Sequence, residues 1–264
     1  MDKVKYIYIA LLTLLFTACL SESEGPQPIQ MGRFALAFTA DGLDVEVITR
    51  SPRELTAAEA ADYRVTLTQG AETLWQSKKF SEISEADRTQ VRGDGYCVSA
   101  ENCTAAEAES ANDGWGQKRY IGQSSLFSIV ANETRNVQVP CQMANAGLCV
   151  VFDESFTNRF SDYAVTTDDM RALKFDANSA DGTIAYYNII DESDKRDLPL
   201  LITASAGWDG TVRLSRTIPL QRGKTLRLRV RFGEPEPETG SIGTILITYD
   251  DAFTPVGEVE ILLE

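Results

Sequence analysis

Apolar residues recur at every second position along most of this chain. In RFALAFTA (33–40), Phe34, Leu36 and Phe38 share one face. In LDVEVITR (43–50), Val45 and Val47 alternate with Asp44 and Glu46, and in DYRVTLTQ (62–69) Tyr63, Val65 and Leu67 alternate with Arg64, Thr66 and Thr68. A period of two marks strands that bury one face, as antiparallel sheets do. TLRLRVRF (225–232) turns Leu226, Leu228, Val230 and Phe232 one way and Arg227, Arg229 and Arg231 the other. Such a basic ladder reads as a solvated face paired with acids, or as a dock for an acidic partner. Two helical pieces interrupt the strands. Both open with the same capping box, Thr56-Ala57-Ala58-Glu59 and Thr104-Ala105-Ala106-Glu107, in which two orphan amides are satisfied reciprocally. No chemistry is assigned to either.

The strand pattern repeats. GRFALAF begins at Gly32 and is followed thirty residues on by Asp62-Tyr63-Arg64-Val65-Thr66. GLCVVF begins at Gly147 and is followed fifteen residues on by Asp162-Tyr163-Ala164-Val165-Thr166. Later, Ile129, Val137 and Val139 keep the spacing of Ile218, Leu226 and Leu228. Two β-sandwiches of related topology are expected, over 31–140 and 141–232. Residues 233–264 hold the acidic, proline-rich GEPEPETG and two further strands around Thr254-Pro255. These form a hairpin that completes the second sheet, or strands that add to an edge in this molecule or a neighbour.

The first 18 residues break the pattern. A short basic start leads into the apolar run YIYIALLTLLFTA, the layout of a secretory signal and too short for a permanent membrane span. Phe16-Thr17-Ala18-Cys19 resembles the bacterial lipobox, with Phe16 where an aliphatic residue is usual. It implies lipidation of Cys19, and two acyl chains would anchor the protein stably. Residues 19–30 then read as an acidic flexible tether without apolar periodicity, which also resembles the surface-export signals of Bacteroidetes-type lipoproteins. The expected location is the outer membrane, lipid-anchored and exposed at the cell surface.

Charge and composition narrow the chemistry. The chain has 39 acids and 25 bases; losing Asp2, Lys3 and Lys5 with the signal leaves 38 against 23, a net −15. Nucleic acid is excluded as a partner by that charge. Histidine is absent, so neither a Ser-His-Asp arrangement nor an imidazole zinc site can form. No phosphate-binding glycine loop stands in the chain, and no cofactor, metal site or enzymatic activity is expected. Cys97, Cys103, Cys141 and Cys149 have spacings unlike those of zinc ribbons, and export permits disulfides. Cys97–Cys103 is favoured as a local bridge, with buried free thiols the competing reading. NDGWGQKRYIG (112–122) gathers Trp115, Arg119 and Tyr120 between glycines. With Trp208 in GWDG, these are the candidate contacts for a glycan or peptide; an Ω-loop packed over a sandwich edge has the same composition. Asn102-Cys103-Thr104 and Asn132-Glu133-Thr134 match the N-glycosylation pattern, a coincidence under a bacterial lipobox.

GYCVSAENCTAAEAESANDGWGQKRYIG (95–122) and NAGLCVVFDESFTNRFSDYAVT (145–166) resemble a Bacteroidetes lipoprotein family described as a domain of unknown function. That family is similar to the fimbrillin-type surface proteins. The resemblance implies two tandem transthyretin-like β-sandwiches, surface attachment, and a role in adhesion or pilus assembly; it carries no catalytic residues. Fimbrillin relatives are trimmed by an arginine-specific protease, which makes Arg33 and Arg50 candidate cut sites. A cut at Arg50 would remove the first two strands and open an edge for strand addition. Three roles therefore stand: an anchored surface protein in adhesion or assembly, a processed pilin polymerising by strand addition, and a glycan-binding accessory lipoprotein.

Overall fold

A computed structural model describes residues 28–40, 53–180, 182–190, 193–206, 210–233, 243–250 and 255–263. The expected strand at 43–50 lies outside these residues, as do Cys19, Arg50 and Trp208. The first half contains β1 (Met31–Ala40), β2 (Arg53–Glu54), β3 (Arg64–Gln69), β4 (Glu72–Lys79), β5 (Thr89–Val91), β6 (Gly93–Glu101), β7 (Tyr120–Gln123), β8 (Phe127–Ile129) and β9 (Thr134–Met143). These nine strands form one hydrogen-bonded sheet, ordered β2-β1-β9-β7-β6-β3-β4, with β5 on β1 and β8 on β6.

That sheet cannot be flat. Four strands separate β1 from β4, so a flat sheet would hold them roughly 24 Å apart at the usual strand spacing. Yet Phe34 of β1 stacks on Trp75 of β4 with ring centroids 5.5 Å apart. The sheet folds over one core containing Phe34, Phe38, Val65, Leu67, Tyr96, Val98, Ile129 and Val139. The two layers of the first sandwich are thus parts of a single ladder.

The second half contains β10 (Asn145–Phe152), β11 (Ser161–Thr167), β12 (Lys174–Asp176), β13 (Ile184–Asn188), β14 (Lys195–Ser205), β15 (Thr211–Gln221), β16 (Thr225–Gly233), β17 (Gly243–Asp250) and β18 (Pro255–Leu263). Here two separate sheets, β13-β10-β16-β17-β18 and β12-β11-β14-β15, share one core. The C-terminal hairpin extends the five-stranded sheet within the molecule, β17 running antiparallel to β16. The change of sheet falls between Met143 and Asn145, slightly beyond the expected 140.

The repeat has a topological meaning. In each half the first strand pairs in parallel with a late one: β1 with β9, and β10 with β16. Ile129, Val137 and Val139 are buried in the first core, and their counterparts Ile218, Leu226 and Leu228 in the second. On β16, Leu226, Leu228 and Val230 face inward while Arg227, Arg229 and Arg231 lie on the outer face. Arg229 and Arg231 help hold the Asp153 carboxyl below its usual range, after the hydrogen bonds Asp153 accepts from Ser155. The solvated-face reading fits that pairing.

The capping boxes close as expected. They start α1 (Ala57–Ala60) and α2 (Ala105–Ser110). A third helix, α3 (Glu154–Thr157), is capped by Asp153 and buries Phe156.

The Cys97–Cys103 bridge is not present: Cys97, Cys103, Cys141 and Cys149 are all buried thiols outside any disulfide. Four residues of extended strand, about 13 Å of rise, separate Cys97 from the end of β6. The two thiols also face different neighbours, Cys97 the Gln123 amide at 3.2 Å and Cys103 the Asn102 side chain at 3.5 Å. Burial pushes the Cys103 thiol up and Cys141 to about 11, which suppresses the reactive thiolate. The native mature chain is therefore expected to withhold these four thiols from a thiol reagent at pH 8. All four should react after denaturation without reductant; a count of two would restore a bridge.

Candidate functional site

The loop that the sequence marks as a ligand contact joins the two halves. After α2, Asn112 (φ 52°), Asp113 (φ 54°), Gly114 (φ 87°) and Gly116 (φ 79°) take left-handed backbone, which winds the chain tightly enough to turn Trp115 toward the second half. Its ring meets Phe175 edge-on, centroids 4.9 Å apart, and packs against the second core. Gly116 leaves no room for a side chain, since a Cβ there would lie 2.9 Å from the Tyr186 carbonyl oxygen and 3.0 Å from that of Ala108. The Tyr186 N–H donates to the Trp115 carbonyl at 2.7 Å, so the edge of β13 is closed by this loop.

Charged residues from both halves surround the plug. Arg171 donates through Nη1 to the carbonyls of Gly114 and Tyr186, both at 2.9 Å. Its guanidinium lies 3.9 Å from the centre of the Tyr187 ring, and that of Arg196 lies 5.2 Å away. Asp169 stands 3.6 Å from each arginine, and Glu109 of α2 stands 3.3 Å from Arg196 and 3.9 Å from Arg171. The signs alternate, so each guanidinium is neutralised while its flat face covers an aromatic ring. Asn188 donates to the Ala105 carbonyl at 2.7 Å and to Glu109 at 3.2 Å. Asn145, almost wholly buried at 1 % exposure, bridges Gln117 and Arg119 through both ends of its amide.

This corrects the expected ligand contacts. Trp115 is a plug between halves. Arg119 pairs with Glu101 at 2.9 Å and donates Nε to the Cys103 carbonyl at 3.1 Å. Tyr120 is buried at 4 % exposure. The composition shared by ligand loops and packed Ω-loops belongs here to the second kind, because the partner surface lies within the same chain. Sequence reasoning missed Arg171, Arg196, Asp169 and Glu109, which no spacing links. Arg33 lies inside β1, between Thr89 of β5 and Thr134 of β9.

A family model with the description Domain of unknown function (DUF4493) matches residues 30–262. The chain belongs to the DUF4493 family. Solved structures similar to this DUF4493 chain include a Bacteroides ovatus protein proposed to act in cell adhesion, 13% identical, covering 88% of this chain and 98% of that one with a TM-score of 0.43. A fimbrial assembly protein from Parabacteroides distasonis is 10% identical, covering 86% and 97% with a TM-score of 0.43. The fimbrial anchor protein Mfa2 from Porphyromonas gingivalis is 10% identical, covering 86% and 100% with a TM-score of 0.34. No curated protein sequence matches the chain.

Beside the clamp of this DUF4493 chain, a cleft of about 1250 Å³ opens between α2 and the second half. Glu109, Asp169, Arg171 and Arg196 form part of its wall, and the apolar Met170 and Ile190 stand exposed at it. Such a wall presents both signs of charge beside apolar rims. Among the described residues, no group of three or more His, Cys, Asp or Glu is placed to hold a metal ion.

Two outcomes follow from the clamp. Trp115→Ala removes an aromatic packed on the far core and is expected to cost about 3 kcal/mol. In urea titrations followed by circular dichroism, the single transition should split, because the halves lose their coupling. The second outcome concerns α2. Glu107 accepts two hydrogen bonds from Arg64, at 2.6 and 2.7 Å, and its own cap bonds, which lower its pKa from 4.5 to about 2. A lowered carboxylate stabilises the fold above its ordinary pKa and loses that contribution as pH falls from about 4.5 through about 2. Glu107→Gln should flatten the acid limb of a melting-temperature profile over that window.

Proposed function

We propose that this DUF4493 chain is a non-enzymatic surface lipoprotein of the outer membrane, held by acyl chains on Cys19 and serving adhesion or surface assembly. The role is of the kind named for the solved proteins above, but its support comes from this chain. The observation that carries it is where the chain spends its recognition-type residues. Trp115, Arg171, Arg196, Glu109 and Asn145 all go into fixing one sandwich on the other. A protein displayed at a surface and loaded through its length needs two domains that move as one, and the plug with its charge cluster supplies that. The lipobox-like Phe16-Thr17-Ala18-Cys19 and the acidic stretch after it supply the attachment.

Processing to a pilin is the second reading, and the position of Arg33 bears on it. Cleavage there requires β1 to leave both β5 and β9 first, because a protease binds its substrate as a separate extended strand. Arg50 is the cut site that this reading favours. The glycan-binding reading now rests on Trp208.

The test is the intact mass and N-terminus of the native protein, with Cys19→Ser alongside. A chain beginning at acylated Cys19 in the membrane fraction, cleaved by protease added to intact cells, is expected; Cys19→Ser should leave that fraction. A lipid-free chain beginning at Ser51 would replace the anchored protein with the pilin.

A further inference from the structure

Seven large apolar side chains stand exposed among the described residues, and four of them gather at one strand end, Ile29, Met31, Val91 and Val130, with Leu126 at the far end of β8. Met31 and Val91 are cross-strand partners, at the start of β1 and the end of β5. Leu126 and Val130 bracket β8, and strand alternation sets both on the outward side, away from buried Phe127 and Ile129. The backbone ties these pieces together. The Asn132 N–H donates to the Met31 carbonyl at 2.9 Å and the Arg92 N–H to that of Gln30 at 2.8 Å. Gly32 lies so close to Val130 that a Cβ would meet its carbonyl oxygen at 2.0 Å. Arg33, Arg92 and Arg135 stand exposed beside the cluster, with Glu133 and Asp94 as the neighbouring acids.

The topology places the cluster at a tip. β1 and β9 run parallel, Arg33 beside Thr134 and Ala40 beside Cys141. Their ends lead toward Asn145 and the second half, so their starts lie at the opposite end of the first sandwich. Among the described residues, nothing covers the four apolar side chains at this strand-end tip. The same tip is where the chain enters. Eight residues lie between Cys19 and Pro28, and those nine Cα–Cα steps reach about 30 Å at most, whatever their path.

We propose that this tip is a lipid-contacting foot. Ile29, Met31, Val91 and Val130 seat at the boundary between headgroups and acyl chains, and Arg33, Arg92 and Arg135 meet the headgroup phosphates. The foot rests on the reading that Cys19 is anchored, since the short reach to Cys19 is what holds the tip at the membrane. A chain of net charge −15 after removal of its signal is otherwise repelled by anionic lipid, which makes local arginines at this one apolar tip the favourable face to present. With the foot seated, the second sandwich is held outward from the membrane.

The experiment attaches the chain through Cys19 directly. Residues 19–264 are coupled by that thiol to a maleimide phospholipid, the four buried cysteines being shielded. The vesicles contain phosphatidylethanolamine, phosphatidylglycerol and a diazirine-bearing phospholipid, and photolabelled peptides are mapped by mass spectrometry. Label should concentrate on the peptides holding Met31, Val91 and Leu126–Val130, about tenfold over peptides of the second half. The triple variant Met31→Glu, Val91→Glu, Val130→Glu, checked for native circular dichroism, should lose that excess; Arg213→Glu on β15 should keep it. Even labelling of the coupled chain along its length would overturn the foot. So would a dimer of the uncoupled chain in sedimentation that the triple variant abolishes, because the cluster would then be an interface between copies. The intact mass of the native protein separately decides whether Cys19 is acylated, so a failed anchor and a failed foot give different results.

Discussion

The contact of Trp115 with Phe175 is the one on which the rest of the molecule depends. Each half can complete a core from its own strands, and nothing in a strand ladder dictates how two such halves sit together. A single aromatic carried across the junction on a strained loop settles it. The loop is narrow because Gly116 lies against two carbonyl oxygens, and its carbonyls at Gly114 and Trp115 are bonded to Arg171 and Tyr186. The indole therefore arrives at the second core with its backbone already held. The arginines then close the junction, where each lies over the Tyr187 ring and beside a carboxylate at the wall of the cleft.

This arrangement explains why residues of the recognition type are structural here. Tryptophan, tyrosine and arginine are favoured at interfaces because they combine large apolar area with a few directed hydrogen bonds. An interface within one chain makes the same demand as one between chains. The cleft left beside the clamp is a consequence of joining two rounded sandwiches at one point, with Met170 and Ile190 at its rim.

The two halves solve the edge problem differently. In the first, one ladder folds over and pairs nine strands around a core. In the second, two sheets stay separate and the C-terminal hairpin is added beside β16, in the place that β7 takes beside β9 in the first half. The repeat is thus kept in its inner strands and lost at its margins, where each sheet must be finished with whatever chain is at hand. The described chain enters at one tip of the first sandwich and passes into the second sandwich at the other, so the two ends of the first sandwich are unlike.

Much of this was legible in the chain alone. Alternation placed β1, β3 and β16 and their buried faces, since side chains of an extended strand point to opposite sides whatever surrounds them. The two capping boxes announced α1 and α2, because a cap is satisfied within four residues. The matched spacing of Ile129, Val137 and Val139 with Ile218, Leu226 and Leu228 announced two related halves. What remained hidden depends on residues far apart in sequence. Arg171 and Gly114 are 57 positions apart, and Arg196 and Glu109 are 87. Whether Trp115 faces solvent or a core, whether Cys97 finds Cys103, and whether nine strands make one sheet or two are questions of which surfaces meet. Local propensity carries no information about that, and only the packed tertiary structure decides it.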